Sequence, residues 1–196
     1  MGERIDNQDT GLRIGDDAQS EPLNPLDLLE GSVSERDFVC DQLEAIADDL
    51  PNRVDINQTL SAAQFLKLRL PAYHRDEREC LFPLLKRRAP RSMGMNRIVL
   101  QLQTFQIDDE DYALEIVETL ESLAGDPAVG NPDAIGYMLR GFFQSYRRYL
   151  AWQRLTILPL AGSLLREAEL EELSAAIRWC RRSAGSPAIY LLHGKS

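Results

Sequence analysis

The sequence predicts an all-α chain, an antiparallel up-down-up-down four-helix bundle with an additional C-terminal helix. Apolar residues recur at three- and four-residue spacing through four long segments, the period of a helix with one buried face. Val, Ile and Thr are scattered rather than alternating, so no strand pattern competes. Capping residues, prolines and glycines punctuate the segment ends.

The first helix is expected from Asn24-Pro25, a cap followed by proline at the first helical position, to Leu50-Pro51. The second starts near Asp55 and reaches about Arg88, ahead of Pro90. It contains Pro71 and Pro83; interior proline removes a hydrogen bond, so bends or a break are expected there. The third runs from about Met93 to Ala124, closed by Gly125-Asp126-Pro127. The fourth starts at Asn131-Pro132 and runs to about Leu165. A shorter amphipathic fifth covers about Glu167 to Arg182. Connections this short join antiparallel neighbours. The domain reading is an acidic, mobile tail over 1–24, the bundle over 25–183, and a second tail over 184–196 containing His193.

Composition narrows the function. The chain has 196 residues, 44% apolar and 27% charged, with a net charge of −9. That balance speaks against nucleic acid, which needs a basic face, and against an anionic membrane surface. No run of about 18 apolar residues exists, and the N-terminus lacks the apolar middle of a signal peptide, so a cytoplasmic location is expected. Cys40, Cys80 and Cys180 are widely spaced, with no CxxC pair, so neither a zinc site nor a disulfide framework is expected. Two histidines rule out any site built from several imidazoles. No nucleophile triad or phosphate-cradling loop is present.

The informative feature lies inside the apolar stripes. They read Leu29, Val33, Arg36, Cys40, Leu43 on the first helix and Leu66, Leu70, Tyr73, Glu77, Leu81 on the second. The third carries Val99, Leu102, Gln106, Glu110, Ala113, and the fourth Phe142, Tyr146, Tyr149, Gln153, Ile157. Three polar pairs, Tyr73/Glu77, Gln106/Glu110 and Tyr149/Gln153, are each four residues apart and so share a helix face. Mid-helix positions meet at one height in an antiparallel bundle, so the pairs should converge on one layer. Buried polar groups are costly, so this layer must satisfy itself or bind something.

The segment from Tyr73 to Leu85, YHRDERECLFPLL, is similar to the motif HHxxEExxLFPLL of bacterial hemerythrin-like (HHE cation-binding) proteins. The segment from Ser145 to Ala161, SYRRYLAWQRLTILPLA, resembles that family's fourth-helix motif HLxxEExxxxPLA, and CDQLEAIADDLP from Cys40 resembles its first helix. The resemblance spans about residues 26–182. It implies a di-iron bundle, but the ligands are mostly replaced. The family's histidines fall on Val33 (or Ser32), Tyr73, Gln106 and Tyr149; its second- and fourth-helix glutamates fall on Glu77 and Gln153, the latter an amide, and the partner four residues past Gln106 is Glu110. Any metal would rest on Glu77 and Glu110. Arg36, in the first-helix stripe, is expected to replace the cation by pairing with a carboxylate.

Blander readings stand beside these. The layer can be a hydrogen-bonded network that fixes register, a single-metal site, or a small-molecule pocket. His74, Asp76 and Glu79 read as a solvated helix face, and Lys86-Arg87-Arg88 as a complement to the helix dipole. Cys40 and Cys80 read as small core residues, Cys180 as an inert rather than a reactive thiol, and Trp152 and Trp179 as packing residues or an interface mark. The expected function is a non-catalytic protein-binding or regulatory module, monomeric or homodimeric, with no cofactor. The alternative is an atypical iron- or cation-binding sensor or carrier of oxygen or a related small molecule; an apolar-ligand carrier is a third reading.

Overall fold

A computed structural model describes residues 24–126 and 130–184. The two expected tails lie outside these residues, apart from Asn24 and Ala184. Among the described residues the chain is helical and contains no strand.

Helix α1 spans Pro25–Asp49, opened by Asn24, whose Oδ1 accepts the Leu26 N–H at 3.0 Å. Helix α2 covers residues 56–88, and Asp55 Oδ1 accepts from the N–H groups of Asn57 and Gln58. These side chains satisfy donors that have no partner inside the helix. A short turn at Arg91–Met93 ends on Gly94, whose φ of +65° suits glycine, and α3 spans Met95–Gly125. Helix α4 covers residues 132–164 and is capped by Asn131; α5 is Glu167–Ala184.

Of the bends or break expected at Pro71 and Pro83, no break occurs: α2 runs on through both. Wide π-helical turns occupy Phe65–Arg69 and Asp76–Leu81 in α2, and Gln153–Ile157 in α4. Each ends two residues before a proline: Pro71, Pro83 and Pro159. A proline ring collides with the carbonyl four residues earlier. Those carbonyls belong to Lys67, Glu79 and Leu155, and each lies inside a wide turn, which moves it clear of the ring.

Helix α1 packs along α4, and α2 along α3; α1 also meets α2, and α3 meets α4. Helix α5 lies on α1 and on the second wide turn of α2. The core holds Leu29, Val33 and Leu43 from α1, Leu70, Leu81 and Leu85 from α2, Leu102, Ile116 and Leu120 from α3, and Leu139, Phe142 and Ile157 from α4. The basic run at the end of α2 anchors α5, with Arg87 paired to Glu172 and Arg88 to Glu169. Trp179 does not pack in the core; it is 61% exposed on α5.

Candidate functional site

The polar residues of the stripes meet in one buried cluster. Arg36 is 0% exposed, an unusual position for a side chain that is almost never fully buried without a partner. Its Nη2 donates to Glu77 Oε1 at 2.7 Å and to Ser32 Oγ at 3.3 Å, and its Nε donates to the Ser32 carbonyl at 3.1 Å. Glu77 projects from the second wide turn of α2. Its other oxygen, Oε2, accepts from Gln106 Nε2 at 2.7 Å, Tyr149 Oη at 2.5 Å and Gln153 Nε2 at 2.9 Å. Both amides also donate to the Tyr149 hydroxyl, at 2.8 and 2.7 Å. All four long helices therefore contribute to one cluster centred on this carboxylate. The charges cancel, and the hydrogen bonds are of the strong, charge-assisted kind.

A second chain of bonds leaves Arg36. Its Nη1 donates to Tyr146 Oη at 3.5 Å, and that hydroxyl is 3.0 Å from His74 Nε2. His74 Nδ1 is 2.9 Å from Glu110 Oε1, which also accepts from Arg78 at 2.7 Å. A carboxylate only accepts, so the proton sits on Nδ1, and Nε2 receives the Tyr146 O–H. Burial holds the imidazole below its ordinary pKa, against the pull of Glu110 and Glu77. Burial likewise pushes the phenols of Tyr146 and Tyr149 well up, so both remain protonated donors.

The structure brings Arg36, Glu77, Gln106, Tyr149 and Gln153 together as the stripes predict. It corrects four positions. Tyr73 is buried, but its hydroxyl turns to Glu35 and Arg69 at the edge; its ring lies 5.7 Å beneath the Arg36 guanidinium carbon. Glu110 sits at the rim, its side chain a quarter exposed. His74 and Asp76 are not on a solvated face: both are fully buried, and His74 brings an imidazole into the cluster. The wide turn at Phe65–Arg69 takes in an extra residue and rotates the later part of α2 by up to about 100°. His74 then continues the line Leu66, Leu70, a four-residue spacing visible in the sequence. Tyr146 also lies in a predicted stripe, though not in a predicted polar pair.

The group implied by the hemerythrin resemblance does not fit these residues. Both oxygens of Glu77 are occupied, one by a guanidinium that repels any further cation at that centre. Glu110 is turned to His74 and Arg78. The one imidazole of the cluster, His74, has both ring nitrogens engaged, by Glu110 and Tyr146, and the remaining contributors are amides and phenols, poor ligands for a metal pair.

Beside the cluster, Phe105, Asp109, Ser145, Arg148, Tyr149 and Trp152 line an open pocket of about 520 Å³. Asp109 Oδ2 is buried with no hydrogen-bond partner. Burial, with Asp108 and Glu110 nearby, pushes its carboxyl up to about 7, against Arg36. Between the unfolded value near 4 and about 7, the folded chain holds a proton that the unfolded chain has released. Stability therefore falls as pH rises through that window and levels off above it. Asp109→Asn should raise stability at about pH 8 by ~1–3 kcal/mol and give no gain at about pH 4, as read by urea unfolding at both.

The cysteines are buried, and burial pushes Cys80 and Cys180 above the ordinary thiol range and Cys40 up to about 12. None is poised as a nucleophile. No helix among the described residues is long and apolar enough to cross a membrane. No protein-family model, no curated protein and no solved structure matches the chain.

Proposed function

We propose that the chain is a hemerythrin-like antiparallel four-helix bundle that has exchanged its metal centre for an ion pair, and that it acts as a non-catalytic protein-binding or regulatory module. The observation that carries this reading is the saturation of Glu77. Arg36, Gln106, Tyr149 and Gln153 all bond to its carboxylate, which leaves neither carboxylate oxygen open; the one cluster atom without a partner, Gln106 Oε1, is a neutral amide oxygen. The centre supplies rigidity and register, a documented use of buried polar groups. Recognition then falls to the surface.

The surface has a suitable feature. Phe38 and Leu68 are 61% and 59% exposed on α1 and α2. Ser34, Glu35, Phe38, Val39, Gln42, Ser61 and Phe65 line a shallow groove of about 420 Å³ there. Exposed apolar residues rimmed by charge, here Glu35 and Arg69, suit contact with a protein.

The test is metal content by mass spectrometry, with an absorbance scan, on protein prepared without chelator or affinity tag. The expected result is iron far below stoichiometry and unchanged in Glu77→Ala. Stoichiometric iron that Glu77→Ala or Glu110→Ala removes would overturn the reading and make this an iron-dependent sensor or carrier.

A further inference from the structure

The second wide turn of α2 carries Asp76, Glu79 and Cys80 against Cys180 of α5. A carboxylate oxygen of Asp76 and the two sulfurs all lie within 4.8 Å of one another. The sulfurs are 3.5 Å apart, and Cys180 Sγ is 3.7 Å from Glu79 Oε2. A tetrahedral zinc ion, with bonds of about 2.3 Å to sulfur and 2.0–2.2 Å to oxygen, holds its ligand atoms about 3.4–3.8 Å apart. The sulfur–sulfur separation and that from Cys180 to Glu79 match this spacing to within a few tenths of an ångström, and the Asp76 oxygen lies within 4.8 Å of both sulfurs.

Asp76 adds an independent sign. It is 1% exposed, and Arg181 Nε donates to its Oδ2 at 2.8 Å. Its Oδ1 is buried with no partner. A buried carboxylate oxygen without a donor is costly. One oxygen fixed by a hydrogen bond and the other left free is how ligating carboxylates are oriented from behind. Two thiolates and two carboxylates carry four negative charges against the two of the ion. The excess faces Arg181, and Arg75 bonds the Cys180 carbonyl at 3.4 Å.

We propose that Asp76, Glu79, Cys80 and Cys180 form a structural site for a borderline-soft divalent cation, zinc being the best match, that clamps α5 onto α2. Thiolate donors exclude magnesium and calcium, and four protein ligands leave no open position for catalysis. Binding is not a redox step: each thiol gives its proton to solvent as its sulfur takes the metal. A clamp is useful here, because the apolar residues that α5 buries form a narrow stripe, Leu173, Ile177 and Cys180, flanked by the buried Glu169 and Ser174. The site shares no ligand with the Arg36–Glu77 cluster, so its failure would leave the reading of the core standing, and the reverse.

The experiment is titration of the full chain, kept reduced with a phosphine, first with cobalt(II) and then with zinc. The expected result is one cobalt per chain, with thiolate-to-cobalt charge-transfer bands and the strong visible bands of tetrahedral cobalt, which zinc abolishes. About two protons should be released per ion. Cys80→Ser and Cys180→Ser should each lose the charge-transfer bands, Arg181→Met should weaken zinc binding ~10–100-fold, and Cys40→Ala should bind as wild type. Circular dichroism of each variant confirms that it folds; Cys180→Ser lies on the peripheral α5 and carries the test if Cys80→Ser does not. Absence of the bands in the reduced chain, or their persistence in Cys180→Ser, overturns the site. So does a thiol count showing Cys80 and Cys180 joined as a disulfide in the protein as isolated.

Discussion

Replacing Arg36 with methionine should destabilise the fold by about 3–5 kcal/mol, measured by urea unfolding at neutral pH. Methionine fills much of the same volume, so the loss is not chiefly a cavity. It strands Glu77 Oε1, which loses its Arg36 donor, inside the core. It also leaves the Ser32 carbonyl without its side-chain donor, and Tyr146 without one of its partners. A buried carboxylate deprived of its counter-charge costs far more than a neutral hydrogen bond. An unchanged or higher stability would mean that the pair is an ordinary tolerated burial and that Arg36 does not hold the layer.

The second large effect is expected at Phe142. Its ring stacks on Tyr146 at 5.4 Å, Tyr146 stacks on Tyr149 at 5.8 Å, and Tyr112 meets Phe142 edge-on at 5.8 Å. This aromatic ladder on α4 aims two hydroxyls into the cluster. Phe142→Ala should cost about 3–5 kcal/mol, the transfer term plus the cavity. Tyr146→Phe keeps the ladder and removes only the hydroxyl between Arg36 and His74, so about 1–3 kcal/mol is expected. If Tyr146→Phe cost as much as Phe142→Ala, the polar network rather than the packing would dominate this face.

Much of the fold and the cluster is legible in the residues, for identifiable reasons. Asn24-Pro25, Asp55 and Asn131-Pro132 announce three helix starts because capping and proline chemistry are local. Arg36, Glu77, Gln106 and Gln153 stand out because they interrupt apolar stripes whose period is fixed by helix geometry. The second helix departs from its predicted stripe because the wide turns before Pro71 and Pro83 break the uniform 3.6-residue period. A uniform period puts Tyr73 at the centre and His74 in solvent, whereas His74 is the inward group. The meeting of Asp76 and Cys80 with Cys180 is illegible for another reason. It depends on where α5 docks, and that is a tertiary fact with no local signal. Asp109 is hidden in the same way, because its burial comes from the packing of α3 beside Trp152 and Tyr149.

The most direct test of the Arg36–Glu77 pair is a double-mutant cycle. Wild type, Arg36→Met, Glu77→Gln and the double variant would be compared by urea unfolding at neutral pH. A pair that neutralises itself at the centre of the core predicts that the double variant is more stable than the sum of the two losses implies, with a coupling of about 2–3 kcal/mol. Losses that add to within about 0.5 kcal/mol would show that the two charges act independently, and would contradict the exchange of a metal centre for an ion pair.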